Sequence, residues 1–486
     1  MPSASSAAQR KGLILALLAS TQFVIVLDAS IVNVALPSVM RDLDFTQESV
    51  TWVLNAYALV FGGFLLLGGR LADHLGRRRM FMTGAAIFGL ASLAGGLAQS
   101  SAWLVIARGF QGFGGAIIGP AALSMVTTTF EEGAERNKAL GVWGAVAGMG
   151  GAAGVLLGGI LTQSLGWQAV LLVNVPVLSV IWVLAPRILP ESRAETDEPR
   201  TFDVPGAVAI TAGIGILIYA LVNAPSAGWG SGQTLGLLAL AAVTIGAFVA
   251  IEQRQSAPLV PLSIFKLGTL RGANVVGLLV GASLFSMFLF ITFYLQNVLH
   301  HDALRTGLEY LPLALTIIVS AGVASALVST LGFKPVLMTG MLLITAGLLW
   351  FSRVSVDGTW LKDILGPSLL AAAGLGFSFV PVTIAAVAGT KPHEAGLASG
   401  LINTSQQVGG ALGVSVLIAV ASGTLPTGAA PTPADLTSRY QHAFLAGAAI
   451  ALAGALYATF AISSKDSRAF AEAARSGEAQ TAVPVA

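Results

Sequence analysis

The chain has 486 residues, of which 55% are hydrophobic and only 10% are charged, and its mean hydropathy is +0.81. An ordinary soluble protein carries about 25% charged residues, so too few charges remain here to cover a globule in water, and lipid must be the solvent for most of the surface. The absence of cysteine excludes disulfides, thiolate metal sites and cysteine nucleophiles, and the net charge of +2 gives no signal for nucleic-acid binding.

Apolar runs long enough to cross a membrane recur along the whole chain. A transmembrane helix needs about 20 predominantly apolar residues. Runs of this kind predict fourteen transmembrane helices, over residues 12–36, 48–69, 80–98, 103–128, 139–163, 168–189, 204–223, 233–252, 271–296, 306–329, 336–353, 361–385, 397–421 and 440–462. The first run is too long for the core of a signal peptide, so we expect it to be a retained first helix.

The positive charges indicate the orientation of these helices. Fourteen spans divide the loops into two sides, and nineteen of the 25 Lys and Arg residues fall on the side of the N-terminus. Five fall on the other side, and Arg108 lies inside a span. Cytoplasmic loops carry the excess of Lys and Arg, so both termini are predicted to lie in the cytoplasm.

Two charged connections, near residues 190–203 and 252–271, divide the chain. They predict an all-α polytopic membrane protein with an N-terminal six-helix bundle over 1–189 and an insert over 190–270. The insert would contain a cytoplasmic linker and two extra transmembrane helices without buried charge. A C-terminal six-helix bundle is expected over 271–464 and a disordered cytoplasmic tail over 465–486.

Two charged residues stand inside the apolar runs of the first half. Asp28 lies near the middle of Leu13–Leu36, and Arg108 lies in the fourth predicted helix. A carboxylate there costs about 2.5–3.5 kcal/mol on insertion scales, so an intramembrane acid indicates function. At 1.5 Å per residue, Asp28 lies about 12 Å and Arg108 about 8 Å from the outer helix ends. A buried acid and base at similar depth predict a proton relay; the alternative is that Asp28 is a hydrogen-bonding scaffold residue in a wet cleft.

A glycine-containing basic turn follows the second predicted helix. Gly69, Asp73, Gly76, Arg77 and Arg78 fit the pattern Gly-x-x-x-Asp-x-x-Gly-Arg-Arg. Glycines in such a turn let two helices approach closely, although a basic turn alone could be only an anchor on the cytoplasmic side. The spacing resembles the signature loop of the major facilitator superfamily.

Further motifs strengthen this resemblance. Arg108 and Gln111 stand in an Arg-x-x-Gln-Gly element similar to the one that family members use in proton coupling. Leu27–Pro37, with Asp28 and Asn33, resembles the first-helix signature of the fourteen-spanner drug:proton antiporter branch. Trp52, Asn55 and Tyr57 on the second helix, and the Gly400–Gly410 segment on the thirteenth, fit the same branch.

The fifth predicted helix resembles the antiporter signature of the family in its glycines only. Gly154 and Gly158 are present, but Val155 stands where the family has proline. Small residues at this density let helices pack backbone to backbone, while the missing proline removes a fixed kink.

The resemblance implies a major facilitator fold, two six-helix bundles that rock about a central site, in the inner (plasma) membrane. It implies proton coupling by Asp28 and Arg108. The expected substrate-binding residues are Asp28, Asn33, Asn55, Tyr57, Gln111, Phe285, Asn403 and Gln407. The expected conformational switch comprises Gly69, Asp73, Gly76, Arg77, Gly154 and Gly158.

The predicted function is proton-coupled secondary active efflux of amphipathic drugs or antibiotics by a monomer in the lipid bilayer. No metal or cofactor is expected, and the proton gradient is the expected energy source. Glu309 is expected to be a water-exposed carboxylate at the outer rim, with a second proton site as the alternative. Two other functions stay open: a dedicated exporter of a single natural product or lipid, and a polytopic membrane enzyme or sensor. The lack of Cys and of metal-ligand spacings argues against an enzyme.

Overall fold

Helices account for nearly all of the chain that the computed structural model describes, which comprises residues 4–46, 49–130, 134–192, 203–255, 258, 260–390, 395–422 and 432–476. The helices are α1 (Ala4–Asp42), α2 (Trp52–Leu75), α3 (Arg77–Gly96), α4 (Ser101–Thr129), α5 (Ala134–Leu165), α6 (Gln168–Leu172), α7 (Asn174–Ile188), α8 (Val204–Ala227), α9 (Gly232–Arg254), α10 (Gly268–Asn297), α11 (Ala303–Glu309), α12 (Leu311–Leu331), α13 (Phe333–Phe351), α14 (Gly366–Val387), α15 (Ala395–Ser422), α16 (Pro433–Ala461) and α17 (Ser464–Ser476). A π-helical segment, Trp360–Leu365, leads into α14, and 3₁₀ turns precede α2 and α10.

Within the described residues, eleven helical segments are long and apolar enough to cross a membrane. The expected all-helical polytopic membrane fold is therefore confirmed, whereas the count of fourteen spans stays a prediction. Three of the predicted spans are not among the eleven. Helices α2 and α5 contain only the shorter apolar segments Ser49–Leu65 and Met149–Leu165, and α3 begins with three arginines.

The same helix pairings occur in both halves of the chain. In the first half α1 packs on α5, and α4 packs on α2 and α3; in the second half α10 packs on α15, and α14 packs on α12 and α13. Without a hydrophobic driving force between helices in lipid, close contact between small residues drives this packing. Gly158 on α5 faces the Ile31 carbonyl of α1, and Gly409 on α15 faces the Leu278 carbonyl of α10. The two halves are thus built on one plan.

Within the described residues, the bundles meet mainly along α2 and α15 and where α1 and α5 approach α10, α11 and α12. We call the end of the molecule where α1 begins the proximal end, and the opposite end the distal end. Helix α2 packs along α15; near the distal end α1 contacts α10 and α5 contacts α11. Gln296 Nε2 on α10 donates to the Val34 carbonyl of α1 over 3.0 Å. Helix α8, of the inserted pair, packs on both α2 and α15 and so touches both bundles.

Two expectations about the ends of these elements are wrong. Residues 465–476 of the tail are helical, because Phe470 and Ala471 give α17 an apolar side, and Phe470 packs on Phe333; residues 477–486 lie outside the described part. The inserted helices do carry buried charge. Asp203 caps α8 and Glu252 lies in the last turn of α9, and both are buried where these helix ends pack together.

Candidate functional site

Asp28 lies in the middle of α1 and is completely buried. Its Oδ2 accepts from Arg108 Nη1 on α4 over 2.6 Å. Its Oδ1 accepts from Asn174 Nδ2 on α7 over 2.7 Å and from Gln111 Nε2 on α4 over 3.2 Å. Three side chains from two helices therefore surround one carboxylate, and both of its oxygens are occupied.

Arg108 is as deeply buried as Asp28, with 1% of its surface exposed. Its Nε donates to the Val53 carbonyl of α2 over 2.9 Å, and its Nη1 also donates to Gln111 Oε1 over 2.9 Å. The guanidinium carbon lies 4.5 Å from the centre of the Tyr57 ring. Buried ion pairs are sustained only when further hydrogen bonds satisfy the remaining donors and acceptors, and this network supplies them.

The structure brings together Asp28, Arg108 and Gln111, as the expected proton relay requires. It adds two residues that the sequence analysis missed. Asn174 binds Asp28 directly, and Ser92 on α3 accepts from Gln111 Nε2 over 2.7 Å. The available signal was the single Asn inside the apolar run 168–189; a lone serine in a glycine-rich helix gives none.

A small cavity lies beside this network, between the two bundles. Its volume is about 20 Å³, enough for about one water molecule. The lining residues from the first bundle are Ala29, Leu54, Asn55, Tyr57, Ala58 and Arg108, and those from the second bundle are Gln407, Gly410, Ala411 and Val414. Pockets for drug-sized ligands measure about 300–1,000 Å³, so the bundles must separate here before a substrate of that size can enter.

Polar atoms without a partner point to this cavity as a binding site. Asn55 Nδ2 donates to Ser415 Oγ of the second bundle over 3.1 Å, but Asn55 Oδ1 and the Tyr57 hydroxyl are buried without a hydrogen-bond partner. Buried polar atoms are normally paired with protein or water. Both residues line the cavity, so a water molecule or a ligand there can satisfy them.

Other expected substrate-binding residues lie elsewhere. Asn33 is buried on α1, but its amide donates to the Ala29 carbonyl over 3.1 Å, and it does not line the cavity. Asn403 is exposed on α15, one turn before Gln407. Phe285 lies on α10, and its side chain is outside the described part. The structure therefore groups Asn55, Tyr57 and Gln407 and leaves Asn33 and Asn403 outside.

The expected switch loop is largely helical. Helix α2 contains no proline and continues to Leu75, where it ends because Gly76 has a φ of +111°, a conformation that favours glycine. Gly69 consequently lies in the final turns of α2, as does the backbone of Asp73, whose side chain is outside the described part. The close approach expected at Gly69 occurs one residue earlier. A Cβ at Gly68 would lie 2.8 Å from the Ala116 carbonyl carbon of α4, whereas one at Gly69 would make an ordinary 3.5 Å contact with Pro120.

The turn itself is tied to the segment that follows α7. The Arg77 backbone N–H donates to the Ser192 carbonyl over 2.9 Å, and the Arg78 N–H donates to Glu191 Oε1 over 3.2 Å. A Cβ at Gly76 would lie 2.7 Å from the same Glu191 oxygen. Glu191, which the sequence analysis did not single out, thus joins the turn to the end of the first bundle.

Helix α5 contacts both bundles through its small residues. Facing α1, a Cβ at Gly154 would lie 2.8 Å from the Leu27 carbonyl, and one at Gly158 would lie 2.7 Å from the Ile31 carbonyl. Facing α11, a Cβ at Gly159 would lie 2.5 Å from the Ala303 carbonyl. The segment of α1 on either side of Asp28 therefore rests on the same helix that closes the distal contact with the second bundle.

Glu309 is not the exposed rim carboxylate that was expected. Its side chain is 9% exposed; Oε2 lies 2.8 Å from His301 Nδ1, and Oε1 lies 3.0 Å from Arg305 Nε. The tight loop before α11 folds His301 back over the carboxylate, which sequence position alone does not reveal.

The family model described as Major Facilitator Superfamily matches residues 18–414. The cephamycin export protein CmcT of Amycolatopsis lactamdurans is 41% identical over 441 residues, which are 90% of this chain and 90% of that protein. The puromycin resistance protein pur8 of Streptomyces alboniger is 40% identical over 412 residues, 84% of this chain and 81% of that protein.

Solved structures share the fold. A bacterial homologue of the human lysosomal transporter Spinster, solved in an inward-facing and occupied conformation, aligns with a TM-score of 0.65 at 14% identity. This alignment covers 94% of this chain and 98% of that one.

Proposed function

Because the chain belongs to the major facilitator superfamily, we propose that it exports amphipathic small molecules in exchange for protons, by alternating access of a site between its two bundles. The chain is a transporter and not an enzyme, since its relatives of similar length are named for antibiotic export and resistance. The observation that carries the proton-coupling proposal is the buried Asp28–Arg108 pair, which lies directly beside the cavity between the bundles.

The coupling follows from the occupancy of the Asp28 carboxylate. As an anion, Asp28 accepts from Arg108, Asn174 and Gln111. Oδ1 already accepts two of these hydrogen bonds, so a proton there would displace Asn174 or Gln111. A proton on Oδ2 neutralises the carboxylate and so weakens all three charge-assisted hydrogen bonds. Protonation also removes the charge that balances Arg108, which is one of the residues that line the cavity. Proton binding therefore alters the wall of the substrate site.

Residues of both bundles bind the substrate. Asn55 and Tyr57 offer hydrogen-bonding atoms, and Gln407 contributes an amide from the opposite side. Such a mixture suits an amphipathic molecule, whose apolar part would occupy the space lined by Leu54 and Val414. A substrate that contacts both walls interacts with both bundles at once.

We place the chain in the fourteen-spanner drug:proton antiporter branch, as a monomer in the inner membrane with its proximal end in the cytoplasm. The excess of Lys and Arg in the proximal loops supports this orientation. A potential of about 100 mV supplies roughly 2.3 kcal/mol for each charge moved. At 1.4 kcal/mol per tenfold change, one inward charge sustains a substrate gradient of about fortyfold.

A second candidate function is export of one natural product only. The two relatives reported above are each named for a single antibiotic, cephamycin in one case and puromycin in the other. A panel of chemically unrelated toxic compounds tested on expressing cells separates the two functions. Protection against several chemotypes supports broad efflux, and protection against one chemotype supports a dedicated exporter.

Proton release from the purified protein tests the coupling. Candidate compounds are added to the protein in weak buffer, and the released protons are counted for the wild type, for Asp28→Asn and for a control, Asp44→Asn. Asp44 lies in an exposed turn with φ of 52°, a conformation that Asn tolerates. We expect release from the wild type and the control and none from Asp28→Asn. Equal release from all three would reject Asp28 as the coupling group.

A further inference from the structure

Two buried carboxyl groups face each other at the proximal end of the inserted helices, away from the Asp28 network. Asp203 precedes α8 and is 1% exposed, and Glu252 ends α9 and is 3% exposed. Gln255, which directly follows α9, donates to Asp203 Oδ1 over 3.3 Å, so the end of α9 and the start of α8 bring the two carboxyl groups together. An ionised carboxylate only accepts hydrogen bonds, so a contact of this kind is stable only when one member carries a proton.

The hydrogen bonds around the pair leave room for one proton. Asp203 Oδ1 accepts from the Gly206 N–H over 2.8 Å and from Gln255 Nε2 over 3.3 Å. Glu252 Oε2 accepts from the Val260 N–H over 3.0 Å. The remaining oxygens, Asp203 Oδ2 and Glu252 Oε1, are buried without a donor. A proton shared between the two carboxyl groups satisfies both.

The charged groups around the pair also favour a single shared proton. The charged groups that act on Glu252 from neighbouring elements are Asp203 on α8 and Arg70 on α2. Arg70 also donates to the Pro258 carbonyl, in the connection after α9. With one shared proton the pair carries a single negative charge, and Arg70 is the positive charge that acts on Glu252. Without that proton, a second negative charge would be buried at a cost of several kcal/mol.

The pair lies where both bundles meet the insert. Val260, which binds Glu252, packs in an apolar cluster with Leu67 of α2, Ala207 of α8, and Leu401 of α15. Repulsion between two ionised carboxylates would push α8 and α9 apart and loosen Val260 from this cluster. The protonation of the pair is therefore linked to the contact between α2 and α15.

We propose that Asp203 and Glu252 form a second proton-binding site, separate from Asp28. This site takes one proton from the proximal aqueous phase and, when protonated, stabilises the contact of the inserted helices with both bundles. Neither residue lines the cavity between the bundles, and the site acts on the rate at which the bundles rearrange. Glu252→Gln places an amide donor where the shared proton would be, and Asp203→Asn keeps a side chain that caps helices well. Both variants are expected to fold.

Infrared spectroscopy of the purified protein detects the shared proton directly. We expect a protonated-carboxyl band, sensitive to deuterium exchange, that is present at neutral pH, disappears at alkaline pH and persists in an Asp28→Asn background. The band should be absent from Asp203→Asn and from Glu252→Gln, and it should persist in the control Glu472→Gln, an exposed carboxylate on α17. If both variants keep the band of the wild type, the shared proton does not exist.

Transport measurements test the consequence. With substrate saturating and the pH difference across the membrane held constant, export by the wild type should slow as the proximal pH is raised, because the pair loses its proton. Export by Glu252→Gln should depend less on proximal pH, while Glu472→Gln should follow the wild type. Identical pH profiles for all three proteins would overturn the link to rearrangement, even where the band is observed.

Discussion

Asn174 donates to Asp28 Oδ1 over 2.7 Å, while Oδ2 of the same carboxylate is held by Arg108. The two donors come from different helices, α7 and α4. A proton on Asp28 removes the negative charge that strengthens both hydrogen bonds, so protonation weakens the contacts of α1 with both helices. A substitution at Asn174 therefore tests the Asp28 network as directly as a substitution at Arg108.

Replacement of Asn174 by alanine should remove one of the side-chain hydrogen bonds that the Asp28 carboxylate accepts. A hydrogen bond to a charged group contributes about 1.5–3 kcal/mol, so the free energy of unfolding should fall by about that amount, and gradient-driven export should fall with it. Asn223→Ala is the control, because Asn223 is half-buried on α8, where its amide donates to the Tyr219 carbonyl. Denaturation in detergent and export from vesicles measure both effects. Equal losses in the two variants would contradict a specific role for Asn174.

The Asp28→Asn/Arg108→Gln double variant separates coupling from charge balance. Asp28→Asn alone leaves Arg108 buried without its counter-ion, at a cost of about 3–5 kcal/mol, and the double variant should regain most of this stability. We nevertheless expect both proteins to lack gradient-driven export, since neither has a titratable group at position 28. Facilitated equilibration is measured separately in the same vesicles. Restored uphill export in the double variant would show that Arg108 only neutralises Asp28.

The contact between α1 and α5 should not tolerate a methyl group at Gly154. A Cβ there would lie 2.8 Å from the Leu27 carbonyl, whereas one at Gly151 meets nothing within 4 Å. We expect Gly154→Ala to cost about 1–3 kcal/mol through overpacking and to reduce export. Gly151→Ala should be neutral or slightly stabilising, because alanine favours a helix by about 0.5–1 kcal/mol over glycine. Thermal unfolding of both variants checks the difference, and a reversal of their order would disprove the packing argument.

Gly68 should limit the conformational cycle more than Gly69 does. Only at Gly68 does the α4 backbone obstruct a Cβ. We expect Gly68→Ala to lower turnover with little change in substrate affinity, because the contact lies away from the cavity. Gly69→Ala should approach wild-type turnover. Binding and transport assays on the same preparations distinguish the two variants. A larger loss of turnover in Gly69→Ala than in Gly68→Ala would contradict this prediction.

The charged part of the site could be predicted because charge inside an apolar run is conspicuous. Asp28 and Arg108 each interrupt such a run, and their depths placed them together. Asn174 and Ser92 were missed because neutral polar residues are common in membrane helices, where they also serve simply as contacts between helices. Their role depends on which faces of α3 and α7 turn towards α1, and a single sequence does not specify those rotations.

Charges near helix ends were harder to interpret. Asp203 and Glu252 stand where charged loops are expected, so their burial follows only from the packing of the inserted helices on α2 and α15. The tail was misjudged for a related reason, since its apolar residues are few and become a continuous face only once α17 is wound. The composition of a segment does not show which of its residues a distant part of the chain will bury.

Helix α5 runs unbroken from Ala134 to Leu165, with Val155 at the position where a proline would have hinged it. One side of this helix supports α1 around Asp28, and the adjacent side supports α11 of the second bundle. An uninterrupted helix that is held at both contacts would pass a displacement of α1 near Asp28 on to α11 of the second bundle. A proline at position 155 would weaken this connection without changing an ionisable group.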